Sequence, residues 1–528
     1  MTSSVIKDSK DNIIVFIVSF MVFFLCMQRD LNVYDEGLII VGATRILDGD
    51  IPHRDFYYVY GPAQIYIVAA IEKLFGSSII GPRIYGMIVC ALTLVLANVL
   101  VRERVDLFFR FIGLSAAGAF IVANQSYLYP IYAPIALALL GSLALWSKGG
   151  VSELRQCAFA GACAGVAALF RYESGFFILA AHIIAIVILI PATTLADRMR
   201  KAFLPVFAYG LASAAVFFPF AVSFLLVGGL AGFLNDIVDY PLNHYADMRG
   251  LPFPGLAELR ANPAEFGVYF PVIIVVATVT DMVMNAKRRL PDDAGPQRYA
   301  LTVVMLLLTV LFFYKGSVRV STPHMLMAIV PACVLLTLLL QRLWSSQRKL
   351  ATFALLAIAG LGPTLGVARE AFLNIRDPGR GLLTWAILAK AKPGQCETVH
   401  GEMLIRVAPD YVRTANVLHF QESVFVGLNR HDRFVLNPVA LYHLSGLKPG
   451  TAWHHFDPGM QTRASTQREM VQDLKDNEVR WVVRDASFDS IREPNGSAIG
   501  NGARVLDEYL AREYRPYAAS GKVQIWLA

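Results

Sequence analysis

Directly after the first apolar run the chain reads Val33-Tyr34-Asp35-Glu36-Gly37, which sets two adjacent carboxylates at a membrane surface. Carboxylates are costly to desolvate there and need a reason to be present. Two reasons fit the residues. One is a helix start, with Asp35 as N-cap and Glu36 in the first turn, each favoured by the helix dipole. The other is catalysis. Basic groups recur at other turns between apolar runs. Arg54 and Arg83 follow the acidic pair, and Phe170-Arg171-Tyr172-Glu173-Ser174-Gly175 sits where two runs meet. Lys315 and the stretch Arg319-Val-Ser-Thr-Pro-His324 occupy another such turn. An arginine fork can hold two oxygens of an anion at once. Equally, an Arg–Glu pair at a helix junction can be purely structural, and His324 at a helix start can serve only as a cap.

The elements that must position these residues are set by the apolar pattern. Of 528 residues, 56% are hydrophobic and only 16% are charged, and the mean hydropathy is +0.51. A soluble chain would carry about a quarter charged residues. Runs long enough to cross a hydrocarbon layer about 30 Å thick fall near 13–29, 80–101, 109–125, 130–147, 157–171, 174–193, 202–227, 268–286, 299–315, 323–341 and 350–367. They predict about eleven transmembrane helices over 1–367, then a soluble domain over 368–528 large enough for its own core. In that domain the period-two runs Arg433–Leu436, Val479–Val483 and Val523–Leu527, with helical spacing over Gln467–Lys475 and Ala503–Glu513, predict an α/β or α+β unit.

Charge orients the chain. Arg102, Arg104, Arg110, Lys148, Arg155, Arg198, Arg200, Lys201, Lys287, Arg288, Arg289, Arg298, Arg342, Arg348 and Lys349 all fall in alternate loops, which marks that side as cytoplasmic. The N-terminus lies there too. The odd helix count places the C-terminal domain outside, in the periplasm of a bacterium. The same distribution accounts for the net charge of +7 without a nucleic-acid partner. The N-terminal run lacks a small-residue cleavage site and reads as an uncleaved first helix. Five cysteines lie in or beside apolar runs and Cys396 stands alone in the soluble domain, so neither a disulfide framework nor a zinc site is expected.

The outer segments hold most of the remaining candidates. Between about 30 and 82, Glu36–Leu47 suits a short interfacial helix and Ala63–Phe75 an interfacial or re-entrant one. The outer stretch 228–267 carries Asp236, Asp239, His244, Asp247 and Arg249. These acids could bind a cation or an acceptor, or simply be solvated. Tyr57, Tyr58 and Tyr60 could stack on a ligand, yet tyrosines concentrate at membrane interfaces anyway. His400, His419, His431, His443, His454 and His455 are dispersed without ligand spacing, and the sequons at Asn124 and Asn495 are too common to use.

After the acidic pair come Asp48-Gly-Asp-Ile-Pro52-His53-Arg54-Asp55-Phe56-Tyr-Tyr-Val-Tyr60-Gly61-Pro62, then Lys73-Leu-Phe-Gly76, then Arg83. In these residues the chain resembles the polyprenol-phosphate-dependent branch of the C-type glycosyltransferase superfamily, which includes protein O-mannosyltransferases and the transferases that place aminoarabinose on lipid A. The shared pattern is an acidic pair opening the first outer loop, then Gly-x-x-Pro-x-x-Asp and an aromatic-Gly-Pro element. The likeness covers about residues 10–370 in architecture, with its strong motifs within 33–86.

The resemblance implies an inverting transfer of sugar from a polyprenyl-phosphate donor to an acceptor hydroxyl on an envelope glycan, lipid or protein. It implies Asp35 as the base, with Glu36 orienting or supporting it. Such a donor leaves as an oxyanion that needs cations rather than a proton. Candidates for holding its phosphate are Arg54, Arg83, Arg171, Lys315 and Arg319, and candidates for the substrate are Asp55, Tyr60 and His324. No cofactor is implied; a divalent metal stays open, although no ligand set is apparent. Two rival readings are a lipid-linked sugar transporter or flippase, and a non-catalytic envelope scaffold. A transporter would show repeated helix sets and midplane-broken spans, and neither stands out. The C-terminal domain could bind acceptor or partner, or rigidify the outer loops.

Overall fold

A computed structural model describes residues 3–124, 126–146, 153–288, 295–377, 379–388, 405–418 and 423–528. Lys148, Arg289, Cys396, His400 and His419 lie outside the described residues. Each of the eleven apolar runs falls on a helix. Eight of the described helices are long and apolar enough to cross a membrane, among them Ile80–Val101, Leu195–Val227 and Thr322–Ser345. Of the other three, Tyr132–Trp146 has 15 residues and Leu154–Phe170 has 17. Ser3–Leu25 carries Lys7, Asp8, Lys10 and Asp11 in its first half. In hydrocarbon a helix satisfies every backbone group internally, which is why apolar runs of this length take that form.

The chain forms two compact units. The first comprises Met1–Met27, Gly86–Phe220 and Phe253–Asp377. Its most buried helix is Thr322–Ser345, nearly all of whose side chains from Met325 to Leu340 are enclosed. Small residues let its helices approach closely. A Cβ on Gly161 would sit 2.0 Å from the Tyr209 carbonyl oxygen, and one on Gly165 would sit 2.6 Å from that of Ser213. These two glycines form a Gly-x-x-x-Gly face of the kind that joins membrane helices. His182 bridges the Ser142 and Tyr209 hydroxyls at 3.0 Å each, linking three helices. Asp281 pairs with Arg342 at 2.9 Å and Arg348 at 2.8 Å.

The second unit comprises Gln28–Tyr85, Ala221–Pro252 and Pro378–Ala528, so the C-terminal residues share a unit with the first outer loop. Short bridges bring them together, Gln28 with Gly381 and Asp30 with Arg406. Helices Asp35–Leu47 and Ala63–Phe75 form where the apolar spacing predicts them. They bury Leu38, Ile39, Ala43, Ile65, Val68 and Ala69 with Phe56 and Tyr58.

The C-terminal sheet has five strands: β1 (Ser423–Leu428), β2 (Lys448–Pro449), β3 (Trp481–Asp485), β4 (Arg515–Ser520) and β5 (Val523–Leu527). Their order is β2-β1-β3-β5-β4. β1 runs parallel to β2 and β3, pairing Val424 with Trp481 and Leu428 with Asp485. β5 runs antiparallel to β3 and to β4, which it meets through a turn whose Gly521 has φ +56°. Helices Ala464–Asp476 and Val505–Glu513 contribute Met470, Leu474, Leu506 and Leu510 to a core with Phe425, Val482 and Phe456. Arg433–Leu436, expected as a strand, is irregular. The Val435 carbonyl accepts a hydrogen bond from Arg249 Nη1 at 2.7 Å instead of joining a ladder.

Candidate functional site

The acidic pair opens helix Asp35–Leu47, but Asp35 is not its N-cap. Tyr34 holds that position, and the capping side chain is Asn32, whose Oδ1 accepts from the backbone N–H of Tyr34 at 3.1 Å and of Asp35 at 2.9 Å. The Asn32 backbone N–H donates in return to Glu36 Oε2 at 3.0 Å, a reciprocal arrangement akin to a capping box. Asn32 Nδ2 also donates to Asp35 Oδ2 at 2.9 Å, which fixes the orientation of that carboxylate.

The two carboxylates then part ways. Glu36 is buried and faces Arg83 in a two-pronged pair, with Nε to Oε1 and Nη2 to Oε2 both at 2.7 Å. Arg83 also donates to the carbonyls of Gln28 at 2.6 Å and Asp30 at 2.8 Å. Arg83, expected as a phosphate ligand, thus pairs with the protein's own carboxylate. Asp35 stays half-buried, one residue from that neutralised pair.

The Gly-x-x-Pro-x-x-Asp element builds a tight loop. Gly49 has φ +98°, a conformation that favours glycine, and the Asp55 carboxylate accepts the Ile51 N–H at 2.8 Å. Arg54 and Asp55 pair with each other at 2.6 Å near the surface. Tyr60 packs on the cluster around Phe56 and Tyr58, its ring 6.1 Å from that of Tyr58.

In the first unit, Arg171 is the extended residue separating helices Leu154–Phe170 and Tyr172–Leu189. Its Nε donates to Glu173 Oε1 at 2.7 Å, and Lys315 Nζ lies 3.7 Å from the same oxygen. Two cations thus share one carboxylate. The Arg171 guanidinium also lies 5.4 Å from the Tyr129 ring centre. Gly175 lets the following turn close, since a Cβ there would meet that of Ala168 at 2.4 Å. His324, near the start of helix Thr322–Ser345, has its Nδ1 2.7 Å from Ser321 Oγ and its ring 6.5 Å from Tyr129. Arg319 lies half-buried in the preceding turn. Hence Arg171 and His324 both lie beside Tyr129, and Glu173 joins Arg171 to Lys315. Among the described residues no group of three or more His, Cys, Asp or Glu is placed to hold a metal ion.

No protein-family model matches the sequence, and no curated protein matches it. Solved structures do. The chain is similar to ArnT from Cupriavidus metallidurans bound to undecaprenyl phosphate, with TM-score 0.53 and 14% identity over 99% of this chain and 98% of that one. It is also similar to the arabinofuranosyltransferase AftD from Mycobacteria, with TM-score 0.51 and 13% identity over 98% of this chain and 40% of that one. An oligosaccharyltransferase from Archaeoglobus fulgidus, in complex with zinc and sulfate, gives TM-score 0.50 and 12% identity over 89% of this chain and 68% of that one. The fold is the C-type glycosyltransferase fold. At such identities the likeness is one of architecture, and the roles of individual residues rest on their geometry here.

Within this C-type fold, the second unit holds two buried polar groups that sequence reasoning passed over. His53, with φ +66°, places Nδ1 2.9 Å from Asp236 Oδ2. Burial pushes the Asp236 carboxyl up, against the hydrogen bond from His53. Asp236, in sequence a candidate cation or acceptor ligand or a solvated loop acid, sits in a π-turn over Asn235–Asp239, with Phe224 and Phe233 edge-on to the His53 ring. The second group centres on Asp457. Arg249 Nη2 donates to its Oδ1 at 2.7 Å and the Tyr57 hydroxyl to its Oδ2 at 3.1 Å. Burial alone pushes Asp457 up, but Arg249, His455 and the Tyr57 hydroxyl together more than offset this and hold the carboxyl below its usual range. His454 and His455, fully buried with ring centres 4.9 Å apart, lie beside it, and burial pushes His455 down to about 4. Only the His-His doublet in the sequence could have drawn attention to this place.

Proposed function

We propose that the protein is an inverting glycosyltransferase that moves a sugar from a polyprenyl-phosphate donor to an acceptor hydroxyl on the periplasmic side of a bacterial inner membrane. The observation that carries this reading is the division of labour within the acidic pair. Glu36 is neutralised by Arg83, whereas Asp35 is half-buried and oriented by Asn32. Two carboxyl groups kept in such different surroundings suit different tasks. The similarity to a structure of ArnT holding undecaprenyl phosphate supports a lipid-phosphate donor.

In the proposed step, Asp35 takes the proton of the acceptor hydroxyl as its oxygen attacks the anomeric carbon. The bond from that carbon to the phosphate oxygen breaks on the opposite face, so the configuration inverts. The electron pair leaves with the polyprenyl phosphate, which departs as a monoester dianion. No proton is needed by the leaving group, only positive charge, for which Arg171 and Lys315 are the first candidates and a planar guanidinium suits well. Arg54 and Arg319 are secondary candidates for the phosphate, and Asp55, Tyr60 and His324 for the substrates. Arg83 instead pairs with Glu36 and holds it in place.

The test uses purified full-length protein in nanodiscs with a panel of radiolabelled polyprenyl-phosphate sugars and envelope extract. Wild type should consume one donor. Asp35→Asn should lose about 10²–10⁴-fold in rate at normal expression, the usual worth of a positioned base. Arg171→Ala should raise the donor KM. Full activity in Asp35→Asn would remove Asp35 from the chemistry. No consumption of any donor by wild type would turn attention to lipid flipping.

A further inference from the structure

We propose that the C-terminal segment positions the catalytic loop, with Asp457 and Arg249 fixing the Tyr34 hydroxyl and through it the placement of Asp35. This rests on the reading of Asp35 as the base. Tyr34 directly precedes Asp35 and stands at the N-cap of its helix. Its hydroxyl lies 3.1 Å from the Phe456 carbonyl, to which it donates, and 3.4 Å from Asp457 Oδ1. It accepts from Arg249 Nη2 at 3.1 Å. Arg249 is itself held by Asp457 and by the Val435 carbonyl, and both charged groups are buried.

The residues flanking Asp35 are pinned as well. The Ala440 N–H donates to the Val33 carbonyl at 2.8 Å. A Cβ on Gly37 would lie 2.4 Å from the Ala440 backbone nitrogen, so that helix turn sits directly on residues 439–440. The second arm of the outer loop is tied to the same place. Tyr57 donates from its hydroxyl to Asp457 and from its backbone N–H to the Ala452 carbonyl at 3.1 Å. Residues 33, 34, 37 and 57 are thus all referenced to residues 435–457.

Simple packing does not call for this arrangement. A buried ion pair is a poor way to gain stability, because desolvation cancels most of the attraction. What it offers is direction. Its hydrogen bonds fix Tyr34 in one orientation, and a base displaced by about 1 Å can lose 10²-fold in rate. The C-terminal segment then acts on chemistry through the backbone that carries Asp35, without touching the substrate.

The experiment compares wild type, Tyr34→Phe and Asp457→Asn, each alone and combined with Asp35→Asn, as full chains in nanodiscs. Tyr34→Phe removes one hydroxyl and keeps the ring, so it remains informative even where Asp457→Asn folds poorly. The expected result is a kcat lowered about 10–100-fold in Tyr34→Phe, with donor KM within twofold and melting unchanged. In the Asp35→Asn background neither change should lower the residual rate further, because both act only through Asp35. Wild-type kcat in Tyr34→Phe, or full additivity with Asp35→Asn, would overturn the inference. Unchanged activity in Asp35→Asn alone would instead overturn the assignment of the base.

Discussion

Arg83→Met separates two roles for one arginine. In the structure the guanidinium spends four hydrogen bonds on the protein, two on Glu36 and one each on the Gln28 and Asp30 carbonyls. Arg83 and Glu36 are each 4% exposed, so water cannot replace what the substitution removes. Methionine keeps most of the apolar stem and leaves the Glu36 carboxylate buried with the Asn32 N–H. Removing one partner of a buried pair costs about 3–5 kcal/mol. For a unit of a few hundred residues each kcal/mol moves melting by about 2–4 °C. The expected loss is therefore roughly 6–20 °C, followed by tryptophan fluorescence in nanodiscs at a fixed scan rate. Adding Glu36→Gln removes the stranded charge and should restore most of that loss, a coupling that independent sites would not show. A phosphate ligand behaves otherwise: its loss raises donor KM and leaves melting alone. Melting within about 2 °C of wild type, together with a raised donor KM, would refute the reasoning.

Two further outcomes follow from burial and close approach. Burial pushes Glu72 up from its ordinary 4.5 to about 7, against a hydrogen bond from Thr44. Between those values the folded chain holds a proton that the unfolded chain has released, so stability falls as pH rises through that window and then levels off. The difference is on the order of 3 kcal/mol, and Glu72→Gln should abolish it; parallel melting curves for the two proteins from pH 5 to pH 8 would count against this. Gly161→Ala places a methyl 2.0 Å from the Tyr209 carbonyl oxygen, a backbone atom that cannot swing aside. Overpacking of this kind costs about 1–3 kcal/mol; unaltered melting and yield from membranes would show that the helices can part freely.

What the sequence disclosed and what it withheld divide along a physical line. Long apolar runs carry their own structural instruction, so helices appear at all eleven expected places. Strands β3 and β5 were legible from residues rich in β-branched and aromatic side chains. Strand β1 was not, because Val424 to Leu428 are all buried and the run lacks the alternation that marks a half-exposed strand. The helix start at Asp35 was legible, yet its cap was not, since only geometry shows that Asn32 and not Asp35 accepts the orphan N–H groups. Pairings over long separations were invisible. His53 and Asp236 stand 183 residues apart, and Arg249 and Asp457 stand 208 apart. The sharpest case is arginine itself, because one that pairs with the protein's own carboxylate and one proposed to meet a substrate's phosphate are written with the same letter. Only geometry shows that Arg83 pairs with Glu36 and Arg54 with Asp55. Arg171 and Lys315 both lie beside the Glu173 carboxylate, at 2.7 Å and 3.7 Å, an arrangement that their spacing of 144 residues hides from the sequence.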